Sequence, residues 1–508
     1  MSGPPTDRPD GGSDGPVPPG DTPAPGLDMI LEEIDQVVEP VTESVGMAPA
    51  VGIAVAGGPM ITLPEEERPS AAGRSTDSIR SGLTQAGPVA VAGLVVNGAA
   101  ALLVIAVARL VSPQAYGAIA QLLGLFFILS MPGSAVLVGV VRRVTALQNA
   151  GRSHLVRAWV GKVHRIALAA IAVEVVVVVL LQGWIARQLS LPNSQGIVLI
   201  LVAAGVWILL CVDRGLLQAH RSYRGLAGNL LIEGGVRSAC VLGLVLAHLG
   251  VAGYALGVFL GEVLATIHAH WLASRTWALE LGPARAVTGP DARPDTSLVR
   301  RKLMADVSAA FVGLALLGLL QNVDVILLGR LDHANVGPYA AISVASKALV
   351  FGALALGAYL LPEATIRWNE GGHAIRQLGV TLIFLAVPAG LLLVISVFVP
   401  RWFLTVVFSA KLSTAAPAFA PLVGAMIFLS FSVLITNYLF GTGSRWIVLL
   451  LAGGSALALG LVSAADGHPL STARADLVAQ GALAVAMGMA FVAIHHKHRG
   501  QQLPLRRR

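Results

Sequence analysis

The stretch Asn322–Leu349, NVDVILLGRLDHANVGPYAAISVASKAL, decides how the chain is read. Two apolar runs flank a short polar turn, and two charges, Asp324 and Lys347, fall inside the runs rather than in the turn. About 20 helical residues cross a hydrocarbon core of about 30 Å, which makes the two runs neighbouring membrane helices. Arg330 and Asp332 then belong to the turn and meet water or headgroups. At 1.5 Å per residue, Asp324 lies about 6 Å below the outer end of its helix and Lys347 about 12 Å below the start of the next. Slight tilting lets the two meet. An isolated charge in lipid costs about 2.5–3.5 kcal/mol on insertion scales, so such residues face a cavity or one another.

The rest of the chain has the same character. Of 508 residues, 55% are hydrophobic and 12% charged, and the mean hydropathy is +0.75. These values exclude a set of soluble domains. The net charge of +7 does not point to nucleic acid, because no basic stripe interleaved with aromatics accompanies it and Lys/Arg fall between apolar spans. Cys211 and Cys240 both sit in apolar segments and are read as packing residues. Residues 1–84 differ in kind and are expected to form a disordered, acidic cytoplasmic tail. Up to Arg80 there are 14 Asp/Glu against 4 Arg, and the remainder of the chain is net +17. Within the tail, Ile30, Leu31, Ile34, Val37 and Val38 have helical spacing, which suits either a transient surface helix or a docking strip for a partner protein.

Twelve spans are expected, at 89–108, 116–141, 166–184, 197–217, 226–247 and 251–272, then 303–328, 339–361, 378–399, 419–440, 446–465 and 477–494. They give an N-terminal six-helix bundle (85–274), a cytoplasmic linker (275–302), a C-terminal six-helix bundle (303–494) and a basic tail (495–508). Loops on the side of the termini carry more than twenty Lys/Arg and the opposite loops six. The positive-inside rule therefore expects both termini in the cytoplasm of a bacterial plasma membrane protein, with the basic loops against anionic lipids. The tail HHKHRGQQLPLRRR is read as an electrostatic anchor rather than a metal site, since no cysteine or second histidine pair stands ready to complete one.

The opening stretch has an echo. ARLVSPQAYGAIAQLLGLFF, from Ala108, and GRLDHANVGPYAAISVASKA, from Gly329, both read Arg-Leu, a short turn, then Tyr and a small residue opening a helix. Tyr116 and Tyr339 are 223 residues apart, and each motif falls between the first and second spans of its half. The repeat predicts an all-α integral membrane fold of two six-helix bundles related by a pseudo-two-fold axis along the membrane normal.

With RGLLQAHRSYRGLAGNLLIEGGVR from Arg214 and VVFSAKLSTAAPAFAPL from Val406, these motifs resemble the polysaccharide-unit flippases of the multidrug/oligosaccharidyl-lipid/polysaccharide superfamily over about residues 87–494. The resemblance implies alternating access that moves an undecaprenyl-pyrophosphate-linked sugar unit across the membrane without covalent chemistry. It also implies polysaccharide-assembly proteins as partners, with the N-terminal tail available to meet them. Two cousins fit less well: lipid II flippases usually show cations in the first span, and multidrug antiporters a cation-binding acid there, where this chain offers Asn97. A cation-coupled drug antiporter and a membrane polysaccharide polymerase or ligase remain the alternatives. Against the enzyme, the external loop 400–418 contains no acid and no histidine.

The candidate substrate or coupling residues are Arg237, Lys347, Glu233, Glu262, Asp324 and Arg214. Glu233 and Arg237 are spaced i, i+4 on the fifth span, and Arg237 and Glu262 both lie about 15 Å from the outer end, near the midplane. Arg237 and Lys347 are either counter-charges for a pyrophosphate or members of neutralised pairs that hold the bundle. Glu174 and Asp306, without an evident partner, leave H+ or Na+ coupling open; no other cofactor and no metal is expected. Arg214, Arg221 and Arg224 are placed at the inner mouth after the fourth span, and Trp402, Phe403 and Phe408 in an interfacial belt.

Overall fold

The computed structural model describes residues 75–502, except 150–151, 192–193, 195, 281–296, 370–374 and 442–443. The first half comprises α1 (Ser75–Leu110), α2 (Pro113–Ser130), α3 (Gly133–Asn149), α4 (His154–Gln188), α5 (Ile197–Ala219), α6 (Tyr223–Leu246) and α7 (Gly250–Glu280). The second comprises α8 (Ser297–Leu331), α9 (Val336–Asn369), α10 (Ile375–Phe398), the short α11 (Pro400–Val407), a 3-10 segment (Ala410–Ala418), α12 (Phe419–Gly441), α13 (Ile447–Ser463) and α14 (Pro469–Gln502). Among the described residues, eleven helical segments are long and apolar enough to cross a membrane, with α2 and α3 counted as one, and α13 adds a shorter apolar helix of 17 residues. The protein is a multi-pass, all-α membrane protein. With α13 counted, the described helices make twelve crossings, which return the chain to its starting side; we call that side the near end and the opposite side the far end.

Two crossings of each half pack alike. In α5, the fourth crossing, 72% of the apolar window is buried, and in its counterpart six crossings later, α12, 67% is; the third and ninth crossings, α4 and α10, bury only 6% and 22%. Each half is thus built around its fourth helix, with its third facing outward. At the far end the halves meet through the two echoed motifs. Ser112 caps α2 by accepting from the Ala115 N–H, and Pro113 supplies the fixed φ of the first helical turn. A Cβ on Gly117 of α2 would strike Val336, and one on Gly337 of α9 would strike the Pro113 carbonyl, so two glycines set this approach. Arg109 donates to the carbonyls of Val406 and Val407, and Ser190 Oγ donates to Arg330 O at 3.2 Å. These bonds also join the halves at the far end.

Several sequence expectations shift. The second crossing is not one helix over 116–141. Pro132 lacks an N–H and crowds the preceding turn, so the helix breaks at Met131–Pro132 and resumes as α3 to Asn149. Helix α1 starts at Ser75, inside the segment assigned to the tail; residues 1–74, with the apolar strip from Ile30 to Val38, lie outside the described residues. Helices α7 and α8 run into the 275–302 linker and leave 281–296 undescribed, and α14 continues to Gln502 in the basic tail. Trp402 is exposed as an interfacial residue should be, but Phe408 is buried and belongs to the core.

Candidate functional site: two buried charge clusters

The N-terminal cluster depends on how closely α6 and α7 approach. Gly253, Gly257 and Gly261 recur every four residues along α7. A Cβ at Gly257 would come within 2.6 Å of the Val241 backbone, and one at Gly261 within 2.6 Å of Arg237 Cβ. Small residues at this spacing let membrane helices pack backbone to backbone. The close crossing brings Arg237 of α6 to Glu262 of α7. Arg237 Nη1 donates to Glu262 Oε1 at 3.1 Å and to Glu233 Oε1, one turn earlier on its own helix, at 2.9 Å.

Arg214 is the correction to the sequence reading. Unlike Arg221 and Arg224 it is not exposed at the near end; its side chain is 1% exposed and turns inward to donate to Glu233 Oε2 at 2.7 Å. Its Nε donates to Asn229 Oδ1 at 2.7 Å, and its guanidinium lies 5.4 Å from the Trp207 ring centroid. The i+4 partner of Glu233 was readable from spacing, but Arg214 joins from α5, 19 residues away. The cluster therefore alternates Arg214, Glu233, Arg237, Glu262, with a formal charge of zero. Arg214 Nη1 and Glu262 Oε2 have no hydrogen-bond partner.

The C-terminal cluster lies where the opening stretch folds back on itself. Lys347 Nζ of α9 stands 3.7 Å from Asp324 Oδ1 of α8 and donates to Asn322 Oδ1 at 3.2 Å. Ser343 Oγ donates to Asp324 Oδ2 at 3.3 Å. Asp476, absent from the sequence-based candidates, completes the group: it is fully buried and close enough to feel both the Asp324 and Lys347 charges. Gln480, one turn on, donates to Asp476 Oδ1 and to Leu320 O on α8, both at 3.1 Å, tying α14 to α8. Asp476 falls one residue outside the span expected at 477–494, because its polar neighbours lower local hydropathy; the helix starts at Pro469 and carries it inside. Asp324 Oδ1, Asp476 Oδ2 and Gln480 Oε1 make no hydrogen bond.

The two tyrosines of the repeat occupy parallel places. Both are buried. Tyr116 lies within electrostatic reach of Tyr254, which in turn feels Arg237, and Tyr339 lies within reach of Asp324 and Asp476. Glu174 of α4 joins neither cluster and leans over Gly205 of α5, where a Cβ would overlap its carboxylate. Asp306 is on α8, with its side chain outside the described residues.

No family model matches the sequence, and no curated protein matches it. Solved structures do match in fold. A multidrug resistance MATE family transporter of the MOP superfamily, in an inward-facing conformation, superposes with TM-score 0.60 at 12% identity over 78% of this chain and 95% of its own. The lipid II flippase MurJ, inward closed, gives 0.60 at 11% over 79% and 86%. A MOP superfamily transporter from Pyrococcus furiosus, whose description notes a reversed polarity of the binding pocket, gives 0.51 at 14% over 80% and 93%. The chain has the fold shared by these transporters of the MOP superfamily.

Proposed function

We propose that the protein is a transporter that flips a polyprenyl-pyrophosphate-linked oligosaccharide across the bacterial plasma membrane by alternating access, for cell-surface polysaccharide assembly. The observation that carries this reading is the order of charges in the two clusters. Arg237 is the most exposed member of the first, its side chain at 11% against 3% or less for Arg214, Glu233 and Glu262. Lys347, at 9%, stands in front of the fully buried Asp324. In each half the cation is the most exposed member of its cluster, with buried carboxylates beside it to hold it ionised, and on this reading it is the group that meets the anion. A guanidinium offers phosphate a two-pronged donor and an ammonium a point charge, so both suit a pyrophosphate headgroup. The shared fold supports the reading, since one protein that has it is a lipid II flippase. Two similar halves joined at the far end suit a rocking motion about a site between them.

On this reading both termini are cytoplasmic, and the headgroup enters from the near end, where the basic residues of 142–165 draw anionic lipids. Arg237 then exchanges a carboxylate for phosphate oxygens, and no bond is made or broken. The test is reconstitution in vesicles with a pyrophosphate-linked glycan and a leaflet-specific probe. Flipping by the protein, and a cytoplasmic-leaflet pool of the same glycan on depletion in cells, is the expected result. Chain elongation by the purified protein would replace the transporter with a polymerase.

One observation favours a second reading. The unbonded oxygens of Asp324 and Asp476 beside Lys347 suit a site for H+ or Na+, and another protein with this fold is a multidrug transporter. A cation-coupled drug antiporter would give drug efflux driven by an ion gradient, with no glycan accumulation on depletion.

A further inference from the structure

The near end of the N-terminal half holds a third group of ionisable side chains that neither cluster uses. His164 comes from α4, Asp213 from α5 and His270 from α7. His164 Nε2 lies 2.9 Å from Asp213 Oδ1, and His270 Nδ1 lies 3.4 Å from the same oxygen. The two rings meet edge to face with centroids 5.3 Å apart. One donor atom from each residue falls within 4.8 Å of the others. Asp213 is buried, and its Oδ2 has no hydrogen-bond partner. By helical rise, His164, Asp213 and His270 all lie within about 6 Å of the near-end limit of their spans.

The count of hydrogens calls for a cation here. His164 Nδ1 faces the Val160 carbonyl at 3.1 Å, and a carbonyl only accepts, so Nδ1 carries the ring hydrogen. In a neutral ring Nε2 then points a lone pair at the Asp213 carboxylate. That arrangement repels unless a second proton or a metal ion lies between them. A proton on His164, with His270 donating from Nδ1, would also satisfy these contacts. The convergence of two imidazole nitrogens and a buried carboxylate, with the second ring 62% exposed, is the donor set of a metal ion. A ring N–H given to a backbone carbonyl is also the support that orients histidine ligands in metal sites.

We propose that His164, Asp213 and His270 form a binding site for a divalent transition-metal ion of the Zn2+ class, clipping α4 to α5 and α7. Two imidazoles and one carboxylate suit such ions, whereas Mg2+ and Ca2+ prefer oxygen ligands throughout. Bonds of about 2.1 Å in a tetrahedron hold ligand atoms about 3.4 Å apart. The His270 contact already has that length, and the His164 contact opens by about 0.5 Å to reach it. Solvent around His270 supplies the fourth ligand. Helix α4 gains most from the clip, because it has the least buried surface of the crossings. The metal holds its near end against the two helices that carry Arg214 and Glu262.

The test uses the full-length chain, purified without a histidine tag and with His495, His496 and His498 replaced by Gln so that the tail cannot compete for metal. With Zn2+ alone as probe, this protein is expected to bind one equivalent and to melt at a higher temperature as Zn2+ is added. Co2+ should give the visible absorption of a four-coordinate site. His270→Ala changes an exposed residue and should fold; it is expected to weaken Zn2+ binding by more than about tenfold and abolish the Co2+ bands. His164→Ala should do the same. Absence of stoichiometric Zn2+ binding, or binding unchanged in both variants, would overturn the proposal. A pH-dependent melting temperature without metal binding would also overturn it, leaving a protonated His164–Asp213 pair.

Discussion

The two halves share a fold but hold buried charge differently. In the N-terminal half, two arginines and two glutamates alternate, and every charge has an opposite partner within 3.1 Å. In the C-terminal half one lysine stands among two aspartates, its nearest carboxylate oxygen 3.7 Å away, and the group carries a formal charge of −1. Asp476 is held by a neutral glutamine. The first arrangement is a lattice that no single contact defines. The second is a loose pair with an additional acid behind it. On the function proposed above, the N-terminal cluster is the more rigid holder of its cation, Arg237, and the C-terminal cluster the looser holder of Lys347.

The largest effect should come from breaking the lattice. Glu233→Ala strands Arg214 and leaves Arg237 with Glu262 alone, and loss of one partner of a buried pair costs about 3–5 kcal/mol. Thermal melting in detergent should show a steep loss of folded protein, and a small shift would show that the lattice is not what holds α5 to α6. Double-mutant cycles sharpen the contrast. The Arg214/Glu233 coupling should exceed about 2 kcal/mol, and the Lys347/Asp324 coupling should stay below about 1 kcal/mol; equal values would remove the distinction between the halves. Asp476→Asn keeps the shape and the Gln480 contact, so it should change stability by less than about 1 kcal/mol while altering any dependence of transport on an ion gradient. The least perturbing test concerns orientation. In a cysteine-free background, a cysteine at Asn335 should be labelled from outside the cell, and one at Arg152 only after permeabilisation; the reverse pattern would invert the far and near ends.

The spans were legible because a stretch of about 20 apolar residues has few other uses. So was the Glu233–Arg237 pair, which a helix brings together by spacing alone. Contacts that depend on which helices meet were not legible. Arg214 looked like one of three basic residues at a loop, since hydropathy gives depth along a helix but not which side faces a neighbour. Asp476 was lost to a boundary error of one residue, and the break at Pro132 to the apolar sequence around it. His164, Asp213 and His270 come from three crossings separated by 49 and 57 residues. No local motif marks them, because their meeting depends on α4, α5 and α7 converging at one end.

The most direct test of the account is flipping by a charge-balanced variant, Arg237→Gln with Glu262→Gln. Removing one cation and one anion together leaves the cluster neutral and keeps Arg214 paired with Glu233, so the protein should fold and reach the membrane. Transport of a pyrophosphate-linked glycan in reconstituted vesicles, normalised to folded protein, should then fall at least about tenfold, the equivalent of losing about 1.4 kcal/mol of interaction. Arg237→Lys should restore only part of it, lacking the two-pronged donor. Near wild-type flipping by the double variant would contradict the account and leave the N-terminal cluster as scaffold alone.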